Sequence, residues 1–112
     1  MTLLLAHVSD LHLDGTARAT ERATRTVDYL RHLPQAPDAL LVTGDIADHA
    51  TTDQYHQAAR LLDLPFPVLV CPGSHDDRAA MRQAMLNLPP TKEPFNHLHQ
   101  VAGAAVLTCD ST

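Results

Sequence analysis

Short, nearly continuous apolar runs alternate along the chain with stretches whose apolar residues recur every three or four positions. Leu3 to Ser9 is the first such run, interrupted only by His7, and its continuity predicts a strand buried on both faces. Asp38 to Thr43 and Phe66 to Cys71 repeat the pattern. Between the first two runs, from about Arg18 to Leu33, Ala23, Val27, Leu30 and Tyr29 with Leu33 fall at helical spacing while the arginines face away, and Pro34 and Pro37 end the helix. A second helix, capped by Thr51 or Thr52, sets Tyr55, Ala58, Ala59 and Leu62 on one face. A third follows Asp76-Asp77, which put a carboxylate at its positive end, and buries Met81, Met85 and Leu86. Leu88 to Phe95 holds three prolines and reads as a loop. His97 to Val101 and Ala104 to Cys109, joined through Ala102-Gly103, read as a hairpin or as two short consecutive strands.

Strands alternating with helices predict an α/β fold, a parallel sheet with right-handed crossovers flanked by helices. Ligands of such sheets gather beyond the carboxyl ends of the strands. That is where each run delivers its polar residues. The first ends in Asp10-Leu11-His12, the second in Gly44-Asp45-Ile46-Ala47-Asp48, and the third in Pro72-Gly73-Ser74-His75-Asp76. In the last, Pro-Gly sets a tight turn, because proline fixes its own φ and glycine accepts conformations closed to other residues. Asp10, His12, Asp45, Ser74, His75 and Asp76 are therefore expected to converge on one end of the sheet.

The 112 residues suit one domain spanning 1–112, with a core of Leu, Val and Ala, since 45% of positions are hydrophobic and only 4% aromatic. A net charge of −5 excludes broad electrostatic binding to nucleic acid, which needs a basic surface, but leaves room for a local phosphate site. Cys71 and Cys109 lie in separate apolar runs and read as reduced core residues. With no basic leader before Leu3 to Leu5, neither a signal peptide nor a membrane span is expected, and a cytoplasmic location follows. Of the eight histidines, His12 and His75 fall beside carboxylates at strand ends. His7 reads as a strand residue with its bonds satisfied, and His32 and His56 as solvated helix positions. His49 is open between the site and an exposed loop. His97 and His99 share a strand face, as a pair of metal ligands would.

Carboxylate oxygen and imidazole nitrogen together suit zinc, manganese or iron better than calcium or copper(I). In an extended Asp10-x-His12 segment, alternate residues face the same way and can hold one ion. Asp45 has two oxygens with which to bridge a pair of ions. Two metals about 3.5–4 Å apart hold a hydroxide nucleophile and stabilise both the attacking and the leaving oxygen of a phosphoryl displacement. His75 would donate to a phosphate oxygen or to the leaving group, with Asp76 fixing its tautomer. Asp48 is open between ligation, support of a ligand and helix capping.

These three blocks resemble the D-x-H, GD-x-x-D and GNH-D signatures of the calcineurin-like metallophosphoesterases. The flanking Val8-Ser9, Asp48-His49 and Asp76-Asp77-Arg78 are similar to the cyclic nucleotide phosphodiesterase branch. The resemblance implies about half of a four-layer α/β/β/α fold, and two divalent metals (Mn, Fe or Zn). By it, Asp10, His12, Asp45 and Ser74 are metal ligands, Asp45 the bridge, and His75 the residue near the leaving group. It implies hydrolysis of small phosphodiesters or nucleotides by metal-bound hydroxide attack on phosphorus. Ser74 stands where the family has Asn, a longer-reaching neutral ligand. The family's later His and GH-x-H block have no counterpart here, so the chain is read as the N-terminal half of such a domain, a fragment or truncated product with little turnover. The alternative is a non-catalytic scaffold or interaction module retaining at most one weak metal site. With half the fold, one sheet face is expected to be bare and to drive self-association.

Overall fold

The computed structural model describes residues 2–112. Its elements run β1 (Leu5–Val8), α1 (Ala17–Arg31), β2 (Ala39–Thr43), α2 (Thr52–Leu61), β3 (Val68–Cys71), α3 (Arg78–Leu86), β4 (His97–Val101) and β5 (Ala104–Thr108). The first three strands form a parallel sheet in the order β1-β2-β3, with Val8 beside Val42 and Thr43 beside Cys71. The last two form a separate antiparallel hairpin. This is the α/β architecture expected from the alternation.

Each helix starts on a side-chain oxygen that answers a free N–H of its first turn. Thr16 accepts from Ala19 N, Thr51 from Gln54 N and Asp77 from Ala80 N. Asn87 closes α3 in the left-handed conformation. The helices pack on one face of the sheet. Val27 and Leu30 of α1, Tyr55 and Ala58 of α2 and Met81 of α3 share a core with Leu40, Val42 and Val70. On the other face, Ala39 and Leu69 form a smaller cluster with Val101 of the hairpin, and Leu41 and Val106 pack against it.

Four expectations are corrected here. β1 is not buried on both faces: its residues alternate between exposed and half-buried. It is an edge strand, and the cluster formed with the hairpin includes neither Leu5 nor His7. The second sheet face is not wholly bare either, because the hairpin covers Ala39 and Leu69. Tyr29 is 71% exposed, since the buried stripe of α1 runs Ala19, Ala23, Val27, Leu30 and a residue adjacent to Leu30 points about 100° away. Cys109 is exposed while Cys71 is buried, both as free thiols. The two-residue alternation that buries Thr108 turns Leu107 and Cys109 outward. Among the described residues no helix is long and apolar enough to cross a membrane.

Candidate metal centre

The loops leaving β1 and β2 are stitched together by backbone bonds that continue the parallel pairing beyond the strands. Asp10 N–H donates to Gly44 O (3.0 Å), His12 N–H to Asp45 O (2.9 Å), Leu13 N–H to Ile46 O (3.0 Å) and Asp48 N–H to Leu13 O (2.8 Å). Leu11, Leu13, Ile46 and Ala47 are buried beneath, so the polar residues between them are left at the rim. The backbone pays a conformational cost: Asp10 (φ 61°), His12 (φ 46°) and Asp45 (φ 49°) are all left-handed, a region sparsely occupied by residues other than glycine. The Asp10-x-His12 segment is thus not extended, as its spacing suggested. The two side chains still meet, but through two left-handed residues rather than strand alternation.

His12 Nε2 lies 3.4 Å from Asp10 Oδ1 and 3.8 Å from Asp45 Oδ2. Its other nitrogen, Nδ1, is 3.0 Å from Asp48 Oδ1. With Nδ1 engaged by the Asp48 carboxylate, Nε2 is the edge of the ring turned toward the Asp10 and Asp45 carboxylates. Ligand atoms of these three residues all lie within 4.8 Å of each other. The Ser9 hydroxyl, and after it His12 and Asp45, hold the Asp10 carboxyl below its ordinary pKa despite some desolvation. The Asp10 carboxylate is thereby kept in its charged form. Two carboxylates and an imidazole converging at this spacing fit a divalent cation of intermediate softness.

The turn after β3 closes over the same spot. His75 N–H donates to Asp45 Oδ1 (2.9 Å), leaving Oδ2 for the His12 side. Gly73 permits this contact, because a Cβ there would stand 2.5 Å from both Asp45 N and Asp45 Oδ1. Ser74 is exposed between these two anchor points. The His75 ring packs edge-on against His12 at 5.1 Å, with Nδ1 3.2 Å from Asp48 O. That carbonyl, opposed by slight desolvation and aided by the Asp45, Asp48 and Asp76 carboxylates, raises the His75 pKa above its ordinary value.

Residues 3–109 match the family model for calcineurin-like phosphoesterases. The chain belongs to the calcineurin-like phosphoesterase family. It is 29% identical to a probable cyclic nucleotide phosphodiesterase of Rhodococcus erythropolis, across 96% of this chain and 40% of that protein. It is 30% identical to a cAMP/cGMP dual specificity phosphodiesterase of Mycobacterium tuberculosis, across 97% of this chain and 38% of the other. With a glycerophosphodiester phosphodiesterase of Enterobacter lignolyticus the identity is 34%, across 79% and 34%. The chain thus spans about two fifths or less of the length of these curated relatives.

In this calcineurin-like chain one expected contact is not made. Asp76 does not touch the His75 ring. Its carboxylate accepts from Ile46 N (3.2 Å), Ala47 N (3.1 Å), Gly73 N (2.8 Å) and the Tyr55 hydroxyl (2.9 Å), which exhausts its useful acceptor directions. Asp48 stands in the place foreseen for it, holding His12 by side chain and His75 by carbonyl. Its signal in the sequence was its place three residues after Asp45. His49 lies close by, with Nε2 3.5 Å from Asp48 Oδ2. His7 hydrogen-bonds Thr43 Oγ1 (2.6 Å), and His97 stacks on Phe95 away from the strand ends.

Proposed function

We propose that the chain carries the metal-binding part of a phosphodiesterase acting on small phosphodiesters such as cyclic nucleotides. The observation that carries this reading is the convergence of Asp10, His12 and Asp45 as mutually facing acceptors on left-handed backbone. The names of the relatives supply the substrate class. Asp10 and His12 would hold one divalent ion, Asp45 would be shared with a second, and Ser74 would offer its hydroxyl to that second ion. Bound there, such ions supply Lewis acidity, lowering the pKa of water and neutralising charge on a phosphoryl group.

The chain's own residues then divide the remaining work. Asp48 keeps the Nδ1 proton of His12, so that Nε2 stays an acceptor aimed at the ion. His75 is half exposed, and with Nδ1 turned to the Asp48 carbonyl its Nε2 is the edge left to meet a substrate. Its raised pKa enlarges the protonated fraction, which can donate to a phosphoryl or leaving-group oxygen. Asp76, expected to serve the catalytic His75 by fixing its tautomer, instead holds the loops in register through the amides of Ile46, Ala47 and Gly73.

Residues 1–112 form in this reading the N-terminal half of a single metallophosphoesterase domain, and the free thiols agree with a reducing, cytoplasmic setting. The open groove of about 520 Å³ between β2, β3 and β5, with the exposed Leu107 on its wall, favours pairing with a second copy, which sedimentation at rising concentration would reveal as dimer. A scaffold holding one weak ion is the second reading, favoured by the short Ser74 side chain. It predicts one ion or none per chain, against two for the enzyme. The activity test is manganese-dependent hydrolysis of bis(p-nitrophenyl) phosphate. Hydrolysis abolished by Asp45→Ala supports the enzyme, and hydrolysis indifferent to it overturns the mechanism.

A further inference from the structure

Tyr55 sits in the second turn of α2 with its ring wholly inside the core. A phenylalanine would fill that space equally well, so the hydroxyl is not there for packing. It donates to Asp76 Oδ1 (2.9 Å) and accepts from Asp77 N–H (2.8 Å). Asp76 in turn binds N–H groups on both sides of the centre. Ile46 and Ala47 follow Asp45 directly, while Gly73 immediately precedes Ser74 and His75. One phenolic oxygen therefore joins a rigid helix to the carboxylate that staples the loop carrying Asp45 to the loop carrying Ser74 and His75. Burial, with the Asp76 and Asp77 charges adding to it, pushes the Tyr55 hydroxyl well above its ordinary pKa, so it keeps its proton at any working pH.

We propose that Tyr55 is a positioning residue, whose hydroxyl fixes the Asp45 loop against the Ser74–His75 turn and so sets the spacing of the metal donors. The proposal deepens the metal-site reading and rests on it for its functional consequence, but its structural half stands without any metal. Removing the hydroxyl leaves Asp77 N–H unanswered and Asp76 free to shift toward its remaining donors. The ring, and with it the core, is retained.

The test is Tyr55→Phe in the full chain, read by amide hydrogen exchange without metal and by calorimetric titration with manganese alone. The expected result is a loss of protection of about 10-fold or more at Ile46 and Gly73 relative to Val42 in β2, with manganese affinity weakened about 10-fold. A uniform loss of protection across all three amides, with affinity unchanged, would mean that Tyr55 merely stabilises the fold and would overturn the proposal. Should the wild-type chain bind no manganese, the metal reading fails, while the exchange experiment still decides whether Tyr55 holds the loops. If Tyr55→Phe does not fold, fluorotyrosine in a Tyr29→Phe background leaves Tyr55 the sole labelled ring, because the chain has two tyrosines and Tyr29 is exposed. Its fluorine resonance is expected to move on saturation with zinc, and an unmoved resonance with zinc bound contradicts the coupling.

Discussion

Two groups of carboxylates occupy the same three loops and are built in opposite ways. Asp76 is surrounded by donors: three backbone N–H groups and the Tyr55 hydroxyl. Asp10 and Asp45 instead face each other and the Nε2 edge of His12, and among the described residues Asp45 takes only one backbone donor, His75 N–H, on its far oxygen. Residue type does not separate the two groups, since all are aspartates at strand ends. Their partners do. A carboxylate whose acceptor sites are filled by donors is part of the fold, whereas carboxylates that meet acceptors are electrostatically incomplete and call for a cation.

The comparison can be broken at either end, and the largest effect is expected from Asp76. Asp76→Ala leaves four donors without an acceptor and should destabilise the chain by about 4 kcal/mol in denaturant unfolding; a loss under about 1 kcal/mol would remove the distinction. Asp110 is a second saturated carboxylate, its side chain fully buried against Arg78 and accepting also from Phe95 N–H and Thr112 N–H. Burial alone would raise its pKa, but the bonds from Arg78, Thr112 and Phe95 outweigh burial and hold it well below the ordinary carboxylate range. The sign follows. A depressed folded pKa stabilises above the unfolded value of about 3.9, and that stability is lost as pH falls through the folded value. Wild type should therefore weaken steadily below about pH 4, and Asp110→Asn should be less stable at neutral pH with a shallower acid slope. A smaller effect is expected of Asp48→Asn, which keeps a side chain at His12 but loosens control of its tautomer. Manganese affinity should fall about 10- to 100-fold, with stability within about 0.5 kcal/mol of wild type.

Much of this architecture is legible in the residues. Three apolar runs each ending in Asp or His mark the parallel strands and the edge where they deliver their chemistry, and Ala102-Gly103 marks the hairpin. That α2 is capped within Thr51-Thr52 and α3 begins at the Asp76-Asp77 pair follows from local chemistry as well. What escaped depends on distant partners. Which of the adjacent Asp76 and Asp77 caps α3 and which clamps the loops is decided by Tyr55, 21 residues earlier, and by the amides of Ile46 and Ala47. The left-handed turns at Asp10 and His12 are imposed by pairing with Gly44 and Asp45 on another loop, which no local spacing encodes. The exposure of β1 likewise reflects where the hairpin lands, not the composition of the strand.

The central claim is that Asp10, His12 and Asp45 are arranged for a cation and not for the stability of the chain. Calorimetric titration of manganese into wild type and Asp45→Asn, with denaturant unfolding of both proteins free of metal, tests it most directly. The amide of the variant can still accept from His75 N–H, so metal-free stability should differ by less than about 1 kcal/mol, while affinity should drop at least about 100-fold. Equal affinities in the two proteins, or a wild type that takes up no manganese at millimolar concentration, would contradict the account.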